Sequence, residues 1–377
     1  MKEAEGLRMD RFLLAPSEIT RREFLEIASA TLALLGLSQA LTPQVVKALE
    51  KSLGKTAVVW LEGQDCAGCT ESFVNSTEPL ATSILLDSIS LRYHETLMAA
   101  SGHQAEEARG KAIEEGGYLL VIEGAIPMAE DGLYCTVGGK AFKDIVWETA
   151  RRAAAIIPIG ACATYGGIPR SGPTDAVGYL FRGTKKHHYF DDVTTGKPVI
   201  NLPTCPVHPE RLVAVLVHYL TFGTVPPLDK FHRPLAFYGS NQHENCERRG
   251  HFDAGRFMVD WGNPKQHDWC LYLKGCRGPV ANQDCWKRLW NNRTNYCIQA
   301  NTPCLACSEP EFYESFSPLY ERRFDVKLPG IGLVPIDKIM ATAAGLLSAG
   351  IGVDMLINHI QGKKSRTAGK KAEEKKT

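Results

Sequence analysis

The sequence predicts an α/β fold: a parallel sheet covered by helices on both faces, then a region poor in regular structure, then a C-terminal helix. Three observations carry this. Short apolar runs alternate with helical stretches through the first half of the 377 residues. From about Phe231 through Pro310 that periodicity fades, and Gly, Asn, Trp and Cys become prominent. An uncharged run of 15 residues, Ile339–Val353, stands near the end.

Residues 1–40 are set apart from the fold. The segment Thr20-Arg21-Arg22-Glu23-Phe24-Leu25 resembles a twin-arginine export signal. An apolar run, Ile27–Leu37, follows, and Ser38-Gln39-Ala40 reads as a small-residue cleavage site. The run falls short of the about 20 apolar residues that span a bilayer. The twin-arginine route carries proteins already folded around their cofactors. Twelve cysteines in an exported chain ordinarily suggest disulfides. This leader shifts the expectation toward thiolates loaded with metal before export.

The strand candidates are Thr56–Leu61, Tyr118–Glu123, Ala155–Ile159 and Pro198–Leu202. Each is a short, largely apolar run with Gly or Pro close behind. Helix-like stretches lie at His103–Glu115, Phe142–Ala154 and His208–Phe222. Alternating strand and helix implies parallel pairing with both faces covered. In such sheets the working site lies beyond the carboxyl ends of the strands. The expected domains are a leader at 1–40, the sheet domain at 41–230, a cysteine-rich domain at 231–335, and a helix with a basic tail at 336–377. The cysteine-rich stretch has little aliphatic core, so bound metal is the expected source of its stability.

Charge narrows the function. Residues 1–40 carry net −1 and residues 361–377 net +5, so a whole-chain charge of +1 leaves −3 on the body between. A body of that sign does not read as a nucleic-acid binder.

Four cysteines sit at three of the four strand ends. Cys66 and Cys69 follow the first strand, Cys162 the third and Cys205 the fourth. If these strands are neighbours, four thiolates meet at one point, the ligand set of a [4Fe–4S] cube. Gly68, Gly160 and Gly166 would let backbone approach closely. A redox Cys-x-x-Cys, a four-cysteine zinc site and buried thiols are the other readings. Further along, His243, Cys246, Cys270, Cys276, Cys285, Cys297, Cys304 and Cys307 place eight ligand candidates within 65 residues. That is enough for two more clusters, or for two zinc ribbons, or for three to four disulfides. Neutral His243 in place of a thiolate would raise a cluster's potential. Cys135 stands apart from these sets and reads as structural.

At these motifs the chain resembles the small, electron-transferring subunit of a [NiFe] hydrogenase. The resemblance runs from leader to tail. It rests on Asp65-Cys66-Ala67-Gly68-Cys69-Thr70-Glu71-Ser72, Glu123-Gly124-Ala125-Ile126-Pro127, Gly160-Ala161-Cys162-Ala163-Thr164-Tyr165-Gly166-Gly167, Cys205-Pro206, His243-x2-Cys246 and Pro303-Cys304-x2-Cys307-Ser308-Glu309-Pro310. It implies a flavodoxin-like domain with a proximal [4Fe–4S] cluster on Cys66, Cys69, Cys162 and Cys205. A low-secondary-structure iron–sulfur domain would follow. Its distal [4Fe–4S] cluster would take His243, Cys246, Cys270 and Cys276. Its medial cluster would take Cys285, Cys304 and Cys307. Many relatives have a three-iron medial cluster and a proline seven residues before the Cys-x-x-Cys pair. Cys297 occupies that position here, which favours a medial [4Fe–4S] cube over [3Fe–4S]. Oxygen-tolerant relatives carry two extra cysteines around the proximal cluster, and the matching positions here are Gly68 and Gly167. Glu71 and Thr164 are candidates for the shell around the proximal ligands.

The resemblance further implies a large-subunit partner that holds the nickel–iron centre, so no catalytic residue is expected on this chain. The external acceptor would be a cytochrome b or a cytochrome c. The tail reads as a membrane anchor, with small residues for helix contacts and Lys363, Lys364, Arg366, Lys370 and Lys371 on the inner side. Asp354 and the shortness of the run favour instead an amphipathic helix on the partner. The other functional classes are an iron–sulfur subunit of another reductase and an exported zinc- or disulfide-stabilised binding protein. A single-cluster reductase subunit would lack the His243–Cys307 region.

Overall fold

The computed structural model describes residues 56–77, 81, 89–321, 325–328, 332–335, 339, 342–353 and 355. The leader and the basic tail lie outside these residues.

The sheet has four parallel strands: β1 (Thr56–Glu62), β2 (Ile89–His94), β3 (Leu119–Glu123) and β4 (Ala155–Ile159), in the order β2-β1-β3-β4. The segment expected as a strand at 198–202 lies beside β4 in parallel, but joins it only through isolated bridges, Ile156 to Val199 and Ile159 to Leu202. Counting that edge, the order is that of a flavodoxin-like sheet. Strand β2 is not among the strands expected from the sequence. Its Ile-Ser-Leu-Arg-Tyr-His pattern carries only partial apolar alternation, as suits an edge strand.

Five helices matter to the site: α1 (Gly68–Val74), α2 (His103–Glu115), α3 (Phe142–Ala150), α4 (Gly160–Tyr165) and α5 (Pro209–Phe222). Helix α2 matches its expected bounds, whereas α3 stops at Ala150, four residues early, in a turn at Arg151-Arg152. Side chains alternate across each strand. Val58 and Trp60 of β1 join Phe73 and the α5 residues Leu212–Val217 on one face. Val59 and Leu61 join Ile145 and Val146 of α3 on the other.

From Gly223 to Glu321 the chain forms only short turns and single helical turns, the longest Arg249–Asp253. Buried guanidinium groups hold it in place of secondary structure. Arg170 donates to Tyr165 O, Pro310 O and Phe312 O. Arg248 donates to His267 O and Trp269 O, and Arg233 to Ser308 O. Each supplies donors to carbonyls that have no ladder to join.

Residues 322–377 form a separate compact unit. Within it Asp325–Leu328 pairs antiparallel with Gly332–Pro335, and residues 342–353 are helical. Among the described residues no helix is long and apolar enough to cross a membrane.

Candidate metal centres

Strand geometry brings the first four cysteines together. Cys66 and Cys69 stand in the turn from β1 into α1, Cys162 in α4 directly after β4, and Cys205 just past the bridged edge segment. Burial, then Glu123 and the thiols of Cys162 and Cys205, holds the Cys69 thiol well above its ordinary value. Burial, then Cys205 and Cys66, pushes Cys162 up to about 12. The thiols thus lie near enough to act on one another's charge. The Val207 N–H donates to Cys69 Sγ at 3.3 Å.

Glycines make room for the sulfurs. A Cβ at Gly160 would lie 2.6 Å from Cys69 Sγ, and one at Gly68 3.0 Å from Cys66 Sγ. Gly167 lies against Cys162, where a Cβ would stand 2.9 Å from Sγ. Gly166, expected to serve the same purpose, instead faces backbone, where a Cβ would stand 2.8 Å from Ala176 O. The requirement for close approach is real there, but it concerns backbone, not sulfur.

The sequence alone gave Glu123 no role. It ends β3, is buried, and accepts from Cys69 N (3.0 Å), Thr70 N (3.2 Å), Thr70 Oγ1 (2.6 Å) and Trp60 Nε1 (3.1 Å). Burial raises its carboxyl to about 7. The available signal is a lone carboxylate closing an apolar run, Leu-Leu-Val-Ile-Glu, at a strand's carboxyl end. Thr164 donates to Gly160 O at 2.8 Å inside its own helix, and Glu71 is exposed at the mouth of the cavity described below.

A second group gathers Cys285, Cys297, Cys304 and Cys307. Burial, then Cys285, raises Cys297. Burial, then Cys285 and Cys205, with Cys297 adding, raises Cys307 far above a free thiol. Gln283 Nε2 donates to Cys304 Sγ at 3.5 Å, and Trp290 Nε1 to Cys285 Sγ at 3.4 Å. Cys205, Cys285, Cys297, Cys304 and Cys307 line a cavity of about 1190 Å³. Gln242 lines it too, wholly buried, with neither amide atom partnered.

The third group holds His243, Cys246, Cys270 and Cys276. Burial pushes Cys276 up to about 11, with Cys270 and Cys246 adding to the rise. Gly278 marks the shared space, since its Cβ would meet Cys276 Sγ at 3.4 Å and His243 Cβ at 3.7 Å. The N–H groups of Arg248 and Gly278 donate to Cys246 Sγ and Cys276 Sγ, each at 3.4 Å. The groups form a series. Cys205 and Cys307 line one cavity and the Cys205 thiol adds to the rise of Cys307, while the Cys276 thiol adds to that of Cys304.

None of the twelve cysteines is in a disulfide. Cys135 sits apart, half-buried beside the second core cluster. Free thiols in three tight groups, with glycines clearing space and N–H groups aimed at sulfur, fit iron–sulfur ligation.

Comparison with known proteins bears on this directly. A family model for the C-terminal region of the NiFe/NiFeSe hydrogenase small subunit matches residues 238–320. One described as NADH ubiquinone oxidoreductase, 20 Kd subunit, matches residues 66–219. The uptake hydrogenase small subunit of Azotobacter vinelandii is 40% identical over 349 residues, covering 91% of this chain and 93% of that protein. The periplasmic [NiFe] hydrogenase small subunit 1 of Nitratidesulfovibrio vulgaris is 38% identical over 310 residues, 82% of this chain and 95% of that one. A solved chain of the Ni-Fe-Se hydrogenase from Desulfomicrobium baculatum has a TM-score of 0.65 and 35% identity, and the match covers 71% of this chain and 99% of that one. Fold and thiol groups thus define an iron–sulfur protein of electron transfer. The chain belongs to the small subunits of [NiFe] hydrogenases, the electron-transfer subunits of these heteromeric enzymes.

Proposed function

We propose that this subunit relays electrons from H2 oxidation on its large-subunit partner through three clusters to an external acceptor. Cys66, Cys69, Cys162 and Cys205 hold the proximal [4Fe–4S] cluster. Cys285, Cys297, Cys304 and Cys307 hold a medial [4Fe–4S] cluster, and His243, Cys246, Cys270 and Cys276 the distal one. The observation that carries this is the serial adjacency of the three groups: Cys205 and Cys307 line one cavity, and the Arg277 N–H beside Cys276 donates to Cys304 O at 2.7 Å.

Bound clusters supply one-electron redox chemistry, so the two electrons of each H2 pass singly. The protein's own residues fix spacing and potential. Buried thiols with raised protonation ranges release protons when they take iron. Val207, Arg248 and Gly278 place N–H groups on sulfur. Such bonds stabilise the more negative, reduced state. The fourth medial thiolate, Cys297, lowers that station's potential relative to a three-iron form. Gly68 and Gly167 leave the proximal cluster with four thiolates, without the additional cysteines of oxygen-tolerant relatives. Spectra of oxidised enzyme bearing a high-potential, six-thiolate proximal signature would refute that point.

The leader directs export by the twin-arginine route to the periplasm or the outer face of the membrane. There a cytochrome b accepts electrons if residues 336–377 anchor the complex, and a cytochrome c if they do not. A carbonate wash that releases the mature protein favours the second. The decisive experiment co-purifies the native complex and measures iron, sulfide, nickel and H2-dependent dye reduction together. About 12 irons on this subunit with matching sulfide are expected for three four-iron clusters. Zinc, or oxidised cystines without metal, sinks the proposal.

A further inference from the structure

One group beside the medial thiols is not accounted for by ligation. Arg211, on α5, is 0% exposed. Its Nε and Nη2 donate to Asp284 Oδ1 at 3.0 and 2.6 Å. The same Nη2 lies 3.6 Å from Cys285 Sγ. Asp284 is shared, because Arg288 Nε donates to its Oδ2 at 2.5 Å. Arg288 and Arg293 in turn reach Glu210 at 3.3 and 2.9 Å. Three guanidiniums against two carboxylates leave these named groups one positive charge in excess.

The other donors to sulfur named above are backbone N–H groups, one amide, and one indole that shares Cys285 Sγ with Arg211. Arg211 brings a full charge, and a guanidinium keeps it at any physiological pH. Reduction adds a negative charge to a cluster. A fixed cation touching one of its sulfurs stabilises the reduced form more than the oxidised form, and low local dielectric magnifies the difference. The carboxylate of Asp284 acts in the opposite sense on the same sulfur.

We propose that Arg211 sets the potential of the medial station, its guanidinium raising it against the lowering effect of the fourth thiolate, Cys297. This rests on the reading that Cys285 is a medial ligand. A residue that merely holds α5 to the cysteine-rich segment would not distinguish charge from shape. A potential-setting residue does.

The test is a redox titration of the purified heteromer, followed by electron paramagnetic resonance, with iron and sulfide measured on each sample. Arg211→Gln is expected to lower the medial midpoint by about tenfold in the reduction equilibrium constant, about 59 mV for one electron. Asp284→Asn is expected to raise it, since it removes the opposing charge while keeping side-chain shape. Proximal and distal midpoints serve as internal references and stay in place. An unmoved medial midpoint in iron-replete Arg211→Gln overturns the proposal, as do shifts of the same sign in both variants. Should Arg211→Gln fail to hold its iron, Asp284→Asn decides alone, and an unchanged or lowered midpoint overturns the proposal. Wild-type enzyme with only two titrating clusters marks a different failure, that of the three-cluster reading, and removes this inference with it.

Discussion

Substituting Gly160 by alanine tests the link between backbone shape and cluster binding at a single atom. Gly160 opens α4 with φ +75, in the left-handed region, and a Cβ there would stand 2.6 Å from Cys69 Sγ. The backbone strain for an L residue is about 1–2 kcal/mol. Relaxed contact with sulfur needs at least the about 3.5–4.0 Å of a carbon pair, so the thiol must retreat by about 1 Å. Overpacking of that kind adds about 1–3 kcal/mol. A ligand atom tolerates a displacement of only about 0.2 Å before coordination suffers. Gly160→Ala is therefore expected to destabilise the subunit by about 2–5 kcal/mol and to lose the proximal cluster. Iron analysis and thermal unfolding of the purified heteromer measure both. Gly110→Ala is the control. It lies inside α2 with nothing within 4 Å of its Cβ position, so it is expected to stabilise by about 0.5–1 kcal/mol. A Gly160→Ala protein with full iron and unchanged unfolding would refute the reasoning that sulfur fills the space the glycine leaves.

Three further outcomes follow from the same structure. Replacing Cys297 with serine is expected to reduce the iron count by about one per subunit and to raise the medial midpoint, because a three-iron form lacks the fourth thiolate; unchanged iron shows that Cys297 is a bystander. Arg233→Met leaves Glu309 buried without its 3.1 Å ion pair and Asp229 without its 2.7 Å one, so a loss of about 3–5 kcal/mol in urea unfolding is expected. Burial depresses His94 to about 4, and burial with Arg211 depresses His208 to about 3. The unfolded chain takes up these protons near 6.5, so stability is complete above that pH and falls by about 1.4 kcal/mol per pH unit per histidine as pH drops toward 4. His94→Gln should flatten part of that slope, and an equally steep decline in the variant counts against the assignment.

Much of the sheet was legible because burial on both faces leaves apolar runs such as Leu119-Leu120-Val121-Ile122, which need only Gly or Pro behind them to be bounded. Strand β2 was not, since an edge strand has fewer core contacts to impose a pattern. The segment at 198–202 was readable as extended chain, but the extent of its pairing depends on tertiary contacts that propensity does not encode. Convergence of the cysteines followed from topology, because the carboxyl ends of neighbouring parallel strands lie side by side. Glu123 went unassigned for the opposite reason. Its meaning lies in the Cys69 and Thr70 amides it accepts from, 54 and 53 residues away in sequence, and nothing local to Glu123 announces them.

The cysteine-rich half poses a physical problem that the arginines and the ligand groups answer together. A chain without ladders must satisfy its buried carbonyls some other way, and each one left unpaired costs about 1–3 kcal/mol. Arg170, Arg233 and Arg248 meet five such carbonyls between them, two of the three acting across more than 70 residues of sequence. The thiol groups also adjoin one another, Cys205 acting on Cys307 and Cys276 on Cys304. The Arg277 N–H, next in the chain to Cys276, donates to Cys304 O at 2.7 Å. In the proposed relay that single backbone bond ties a distal ligand to a medial one. A substitution that shifts the Cys304 backbone must disturb both medial and distal potentials, whereas one confined to a side chain such as Gln283 should move the medial potential alone.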